Sequence, residues 1–209
     1  MASAMIHLAV ANEINKTLKR QNNKLLIGSI APDIAKIVGE TKLKSHFQNQ
    51  NDGIPDLDRF FKKYGNRLDD DFVLGYYIHL YTDYLWYKYF MDEIFDKDKN
   101  IIKKLNGEEI KCEGGMKSLY IYNDYTDINI KLIEEYNLDL KIFYNEPPEL
   151  ENIIEEIPMN KINLLIDKMG LIATNTKSVK GFTFDITNVK KFISTSVELI
   201  LSILQQKIS

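Results

Sequence analysis

The sequence predicts an all-α protein built as a multi-helix bundle. Apolar residues recur at intervals of three and four along several segments, which places them on one face of an α-helix. The clearest such segment covers residues 69–95, where aromatic residues form the stripe. The glycine-rich stretch at residues 106–117 predicts only a small hairpin or loop insertion in the bundle.

The first helix is predicted over residues 3–20, with His7 on its apolar face. A short apolar run over residues 24–31 follows and ends at Pro32-Asp33. Because proline has no amide hydrogen and clashes with the preceding turn, Asp33 is expected at a break or at the start of a new helix.

The segment before the central helix is predicted to be mostly loop. Residues 39–51 are polar and contain His46, and a short helix is expected from Pro55 to about residue 64. The central helix then covers residues 69–95 and opens with three aspartates, which suit the amide dipoles of a helix start.

Further helices are predicted in the C-terminal half. We expect one over residues 119–136 and one that starts at residue 147, is reset at a proline and runs to residue 169. Residues 170–186 predict a loop or a short strand pair, and Asp185 or Thr187 is expected to cap a last helix that reaches residue 206.

Length and composition indicate a single helical domain over residues 1–209, with the motif-bearing part at about 1–95. The hydrophobic content of 44% and the charged content of 27% are typical of a globular protein. The net charge of −3 gives no broad basic surface, so we expect no general nucleic-acid binding.

The expected location is the cytoplasm. Cys112 is the single cysteine, which excludes an internal disulfide and a thiolate zinc finger. No run approaches about 18 consecutive apolar residues, so no transmembrane segment is predicted. The first residues lack the basic region of a signal peptide and read instead as the first core helix.

His79 and Asp83 interrupt the aromatic stripe of the central helix and lie one turn apart on the same face. A buried carboxylate without a partner would cost several kcal/mol, on the order of the stability of a whole domain. A metal ion satisfies an imidazole and a carboxylate in this arrangement, although a plain hydrogen-bonded pair fits the same spacing.

The candidate metal ligands are three imidazoles and two carboxylates: His7, Asp33, His46, His79 and Asp83. This nitrogen and oxygen set suits Zn²⁺, with Mn²⁺ or iron as alternatives. Spacing alone leaves simpler roles open, since His7 also fits a core histidine and Asp33 also fits a helix cap. Asp124 is a weaker candidate for an extra ligand or for a hydrogen-bond acceptor behind the ligands.

Three motifs in order resemble the zinc-dependent phospholipase C family, whose members share an all-helical fold with nucleases of the S1/P1 type. The motifs are GSIAPD at residues 28–33, SHF at 45–47 and LGYYIHLYTDYLW at 74–86, behind an early histidine in the first helix. The resemblance covers roughly the first 95 residues. It implies a helical bundle of the phospholipase C/P1 nuclease type.

The resemblance also implies roles for the ligands. Asp33, His46, His79 and Asp83 would bind one ion, while Asp83 would bridge to a second ion that His7 helps to hold. Asp33 would double as the general base, although one oxygen cannot be both a tight ligand and a free base. Family members with a third ion hold it through further histidines, and no histidine follows His79 here, so one or two ions are expected.

The function implied by this resemblance is a metal-dependent hydrolase of phosphoric esters, acting on a small phosphoester or a lipid headgroup. Lys42, Lys44 and Arg67 are candidates for phosphate contacts, and solvated surface positions are the simpler reading of each. The competing hypothesis is a non-catalytic helical interaction protein that ions hold together. A hydrolase of the HD type is disfavoured because no histidine is followed directly by aspartate.

Overall fold

The computed structural model describes residues 1–20, 23–49, 53–174 and 182–208. This part of the chain is mostly helical, as predicted, and carries a small three-stranded sheet. The α-helices are α1 (Ala4–Thr17), α2 (Asn23–Gly28), α3 (Ile34–Ile37), α4 (Lys42–Ser45), α5 (Leu57–Tyr64), α6 (Asp71–Leu85), α7 (Met91–Ile94), α8 (Met116–Glu135), α9 (Ile162–Thr174) and α10 (Ile186–Ile208).

The sheet is an antiparallel meander. Its strands are β1 (Phe95–Asp96), β2 (Ile101–Lys103) and β3 (Glu109–Lys111), hydrogen-bonded in the order β1-β2-β3. The segment at residues 106–117, predicted as a small hairpin or a loop, contains β3, whose partner β2 lies before it, and β1 lies at the end of the predicted central helix.

Helix α6 lies at the centre of the fold, where it packs against α1, α2, α5 and α10. Asp70 caps its N-terminus, because the carboxylate accepts hydrogen bonds from the backbone amides of Phe72 (2.8 Å) and Val73 (3.1 Å). The aromatic stripe is buried as expected, with Tyr76 and Trp86 at 0% exposure.

Two glycines allow α2 and α6 to approach each other at backbone distance. A Cβ atom on Gly28 would lie 2.2 Å from the carbonyl oxygen of Phe72, and one on Gly75 would lie 2.0 Å from that of Leu25. Only hydrogen fits at these positions. The close crossing places the chain that leaves α2 directly beside the ligand-bearing face of α6.

The predicted central helix does not continue as one regular α-helix to residue 95. After α6 the chain makes a π turn at Trp86–Phe90 and then the short helix α7. A π turn holds more residues than an α turn, so it changes which side chains face the core. Here the rings of Trp86 and Phe90 stack 4.0 Å apart and meet Phe184 and Phe192 from the C-terminal part.

The predicted helix from residue 147 to the proline at 158 is wrong. Residues 146–158 are irregular, and a 3-10 turn at Met159–Lys161 leads into α9. The irregular chain is held instead by burial of Ile154 and Ile157 and by the amide of Glu155, which donates to the Tyr64 hydroxyl (3.0 Å). These contacts lie far along the chain, so local apolar spacing was a poor guide.

Residues 39–51, predicted as a loop, contain α4, and His46 directly follows that helix.

In the C-terminal part, α9 extends to Thr174 and residues 182–185 form no strand. The rest of the predicted loop or strand pair, residues 175–181, lies outside the described residues. Asp185 caps α10 as predicted, accepting from the amides of Thr187 (2.8 Å) and Asn188 (3.1 Å).

Among the described residues, no helix combines the length and the apolar character that crossing a membrane would require.

Candidate metal centre

The five candidate ligands lie together in the core, although they come from four separate elements. His7 is on α1, Asp33 ends the 3-10 turn Ala31–Asp33, His46 follows α4, and His79 and Asp83 lie one turn apart on α6. Four of these residues have 0% exposure and Asp33 has 8%. Their assignment as metal ligands stays a prediction.

Asp83 is at the centre of the cluster. Its Oδ1 lies 3.4 Å from His7 Nε2, while its Oδ2 lies 3.7 Å from His79 Nε2 and 3.8 Å from His46 Nε2. The two carboxylate oxygens thus face different histidines. This is the arrangement that a carboxylate needs to lie between two neighbouring cation positions.

The orientation of the His79 ring is fixed by the backbone. Its Nδ1 lies 2.7 Å from the Ser29 carbonyl oxygen, which can only accept a hydrogen bond, so Nδ1 carries the proton. In the neutral ring Nε2 then presents a lone pair to the cluster, 3.2 Å from His46 Nε2. Ser45 Oγ lies 2.9 Å from His46 Nδ1 and orients the second ring, but a hydroxyl can donate or accept, so this contact does not set the tautomer of His46.

The donor atoms form two overlapping groups. His7, His79 and Asp83 make one and Asp33, His46 and His79 make the other, each with its atoms within 4.8 Å of one another. Since His79 Nε2 has a single lone pair, only one ion can take it. Because Nε2 of His46 faces inward, the ion that takes the His79 lone pair is expected in the group with Asp33. His7 stacks on His79, with 3.8 Å between the ring centroids, and lies beside the other oxygen of Asp83.

Unpartnered polar atoms show that the donor set fits a cation. Within the described part of the chain, both ring nitrogens of His7 and Oδ2 of Asp83 are buried without a hydrogen-bond partner. His7 Nε2 is near Asp83 Oδ1 but lacks hydrogen-bond geometry. Buried atoms of this kind cost about 1–3 kcal/mol each, and a divalent ion with nitrogen and oxygen ligands would satisfy them.

The charge states of the cluster suit metal binding near neutral pH. Burial lowers the pKa of His46, and burial followed by the neighbouring His7 lowers the pKa of His79 well below its usual value. Burial opposes ionisation of Asp33, but His46 and Lys42 outweigh it and hold its pKa well below the usual range. His7 likewise outweighs burial at Asp83 and lowers its pKa.

Lys42 lies with Asp33 at the partly exposed edge of the cluster, which we call its open side. Its Nζ is 2.5 Å from Asp33 Oδ1 and 3.4 Å from His46 Nε2, and its side chain is 14% exposed. Helix α4 places Lys42 one turn before His46, so the two side chains share a face. Lys42 was one of three basic candidates for phosphate contacts, and of these it is the one in contact with the cluster.

The N-terminal residues and α8 also border the cluster, and Met1 Sδ lies 2.6 Å from Lys42 Nζ. The amide of Ala2 donates to Asp83 Oδ1 (2.9 Å), and the Tyr125 hydroxyl donates to the Met1 carbonyl oxygen (2.5 Å). Ser3 Oγ donates to Asn129 Oδ1 on α8 (2.7 Å). These bonds hold the start of α1 against Asp83.

Other sequence candidates lie outside the cluster. Asp124 is wrong as a ligand because its carboxylate accepts from the backbone amides of Phe182 (2.6 Å) and Thr183 (2.7 Å). Arg67 lies on the surface, 3.5 Å from Glu151, and Lys44 is exposed.

Sequence reasoning missed two features of the site. The Ser29 carbonyl, which fixes His79, carries no side-chain signal, because its role depends on how α2 packs against α6. Lys36 could have been noticed, since it follows Asp33 by three residues in a helical stretch and therefore shares its face.

No family model, curated protein or solved structure matches this chain.

Proposed function

We propose that the protein is a metal-dependent phosphoester hydrolase, related in its helical arrangement to the zinc-dependent phospholipase C and P1 nuclease type. The observation that carries the proposal is the convergence of three imidazoles and two carboxylates, aimed inward, in a core that offers several of their atoms no hydrogen bond. Zn²⁺ is the ion that this donor set suits best, with Mn²⁺ or iron as alternatives.

Asp33, His46, His79 and Asp83 would hold the first ion, and His7 with the second oxygen of Asp83 would help to hold a neighbouring one. When bound, such ions lower the pKa of a water molecule and stabilise negative charge on phosphoryl oxygens. Ser29 and Ser45 keep the imidazoles oriented, and the surrounding core excludes bulk water from the ligand atoms.

Asp33 is the candidate general base. It is the one carboxylate of the cluster that reaches the open side, with its side chain 10% exposed. Its lowered pKa keeps it ionised and able to accept a proton near neutral pH, although a low pKa also makes it a weak base. The oxygen that accepts this proton must differ from the oxygen that binds the metal.

Burial favours a second candidate function. Because His7, His46, His79 and Asp83 have no exposed surface, the cluster also fits an ion that joins helices in a non-catalytic interaction protein. The partial exposure of Asp33 (10%) and Lys42 (14%) is the feature that favours an enzyme, because it leaves one edge of the cluster in contact with solvent.

Metal content is the first test. Elemental analysis of the purified protein should find at least about 0.5 equivalents of transition metal per chain, because the lowered pKa values of His46 and His79 and of both aspartates favour metal-binding forms at neutral pH. The double variant His79→Ala, Asp83→Ala should lose this metal. Asp69→Ala, which removes an exposed carboxylate just before α6, is the matched control and should keep it. Wild-type protein without metal after incubation with zinc would contradict the proposal.

Turnover is the second test. Zinc- or manganese-loaded protein should hydrolyse bis(p-nitrophenyl) phosphate or p-nitrophenyl phosphocholine, and the double variant should not. Fully loaded wild-type protein that hydrolyses no phosphoester would reject the enzyme and leave the structural metal site.

A further inference from the structure

The open side of the cluster carries positive charge from two lysines on neighbouring helices. Lys42 on α4 contacts Asp33 and His46 directly. Lys36 on α3 lies three residues after Asp33, so both side chains lie on one face of a continuous helical stretch. The hydrogen bond to the Tyr122 hydroxyl, with smaller contributions from Asp33 and Asp83, raises the pKa of Lys36 against its burial.

A tyrosine from α8 completes this opening. Lys36 Nζ donates to the Tyr122 hydroxyl at 3.0 Å and lies 5.6 Å from the centre of its ring. Tyr122 is 55% exposed, and its ring packs at 6.0 Å from that of Tyr125, whose hydroxyl is bonded to the chain beside Asp83. We call Lys36, Lys42 and Tyr122, on the side of the cluster where Asp33 and Lys42 are partly exposed, the basic opening.

The charge balance indicates what the basic opening binds. Asp33 and Asp83 carry two negative charges, which a single divalent ion already neutralises. The ammonium groups of Lys36 and Lys42 then remain in excess beside the ion. A ligand with two negative charges matches this excess and can accept hydrogen bonds from both lysines.

We infer that the site takes phosphate groups bearing two negative charges, as in phosphomonoesters, with Lys36, Lys42 and Tyr122 as the residues that bind them. This inference rests on the proposed function and names its substrate class. A choline phosphodiester fits poorly, because its quaternary ammonium needs acidic or aromatic faces. The exposed aromatic face at the opening, that of Tyr122, already has Lys36 near it.

Binding of inorganic phosphate to zinc-loaded protein, measured by calorimetry, tests the inference without turnover. Loss of one charge-assisted hydrogen bond should weaken binding about tenfold in Lys36→Gln and in Lys42→Gln. Lys44→Gln is the matched control, because this exposed lysine is also on α4, and its phosphate affinity should stay within about twofold of wild type. Equal affinity in all four proteins would overturn the inference.

Lys36→Gln is the more informative variant, because Lys42 touches two candidate ligands and Lys36 touches none in the hydrogen bonds and ion pairs of the described residues. Zinc content measured in parallel should be the same in Lys36→Gln and wild type. If phosphate binding in Lys36→Gln weakens only in proportion to a loss of zinc, the lysine does not itself bind the anion and the inference is overturned.

Turnover separates the inference from the proposed function. The ratio of kcat/KM for p-nitrophenyl phosphate to that for p-nitrophenyl phosphocholine should exceed one and should fall about tenfold in Lys36→Gln. A wild-type enzyme that prefers the phosphocholine ester would overturn the inference and support the hydrolase. Lysine-dependent phosphate binding without any hydrolysis would support the inferred phosphate site and overturn the proposed hydrolase.

The same dianionic group occurs on soluble phosphomonoesters and at the surface of phosphatidate-containing membranes. Co-sedimentation with vesicles of phosphatidate in phosphatidylcholine distinguishes the two sources. Binding to these vesicles, abolished in Lys36→Gln, would identify the lipid, whereas phosphate binding without sedimentation would identify a soluble ester. Vesicle binding that Lys36→Gln leaves unchanged would count against the basic opening.

Discussion

At the scale of single residues, His79 connects the backbone to the candidate metal centre. The sequence predicts that its ring shares a face with Asp83, because four residues make about one helical turn. Its protonation pattern is set by the Ser29 carbonyl, which contacts Nδ1 and leaves Nε2 for the cluster. The spacing of residues therefore predicted the pair, while the usable lone pair depended on a contact 50 residues away.

The buried histidines predict how the stability of the metal-free protein depends on pH. The pKa values of His46 and His79 lie below the usual 6.5, mainly because of burial. Below pH 6.5 the unfolded chain binds protons on these rings that the folded cluster does not, so the free energy of unfolding should fall with acidification. Between pH 7.5 and 5.5 we expect a loss of roughly 1–2 kcal/mol, measured by urea unfolding.

The control is the same measurement on a His46→Asn, His79→Asn double variant, which should lose less free energy of unfolding over this range because the two rings are absent. A free energy of unfolding that stays constant down to pH 5.5 would show that the rings are protonated equally in both states. A second loss is expected below the usual aspartate pKa of 3.8, because Asp33 and Asp83 titrate at lower pH when folded.

At the scale of elements, the crossing of α2 and α6 decides where the ligands lie. Gly28 and Gly75 let the two backbones touch, so the chain after α2 brings Ser29 and Asp33 to the face that carries His79. The sequence shows both glycines, but a glycine inside a helical pattern does not indicate which helix it faces.

Gly75→Ala should destabilise the protein by at least about 2 kcal/mol, because the new Cβ would lie 2.0 Å from a backbone carbonyl that cannot move aside like a side chain. Its zinc affinity should fall as well, since α2 positions Ser29 and Asp33. Urea unfolding and zinc calorimetry measure the two effects.

Gly115→Ala is the matched control for this substitution, because a Cβ there would meet no atom within 4 Å and the backbone is not left-handed. Its free energy of unfolding should change by less than about 0.5 kcal/mol. Equal stabilities of the two variants would mean that α2 and α6 are not in backbone contact.

Several elements were predictable because their signals are local. Ser3 caps α1, Asp70 caps α6 and Asp185 caps α10, and each side chain accepts a bond from a nearby backbone amide. The failures have tertiary causes. The irregular chain over residues 146–158 is held by contacts with Tyr64, and α4 forms in a polar stretch where His46 is drawn into the core.

At the scale of the whole molecule, the cluster joins the N-terminal helices to α6. An ion that binds only the folded state stabilises it by mass action, by about 2.7 kcal/mol at a concentration of 100 times Kd. Zinc should therefore raise the free energy of unfolding by about this amount, measured by urea unfolding at that concentration.

The double variant His79→Ala, Asp83→Ala should show no such increase, and magnesium should have a much smaller effect on wild type because it prefers oxygen ligands. An equal zinc effect on the double variant and on wild type would place the bound zinc elsewhere in the protein.

The sequence by itself indicated that the chain is largely helical, that no run of about 18 apolar residues occurs in it, and that His79 and Asp83 share a face, because these features depend on neighbours within a few turns. The tertiary structure decided that His7, Asp33 and His46 join them, that Asp124 binds backbone amides instead, and that Lys36 and Lys42 face the cluster. The physical reason is that helix spacing fixes directions within one element. The meeting of separate elements depends on packing, here on two glycines that let α2 and α6 touch.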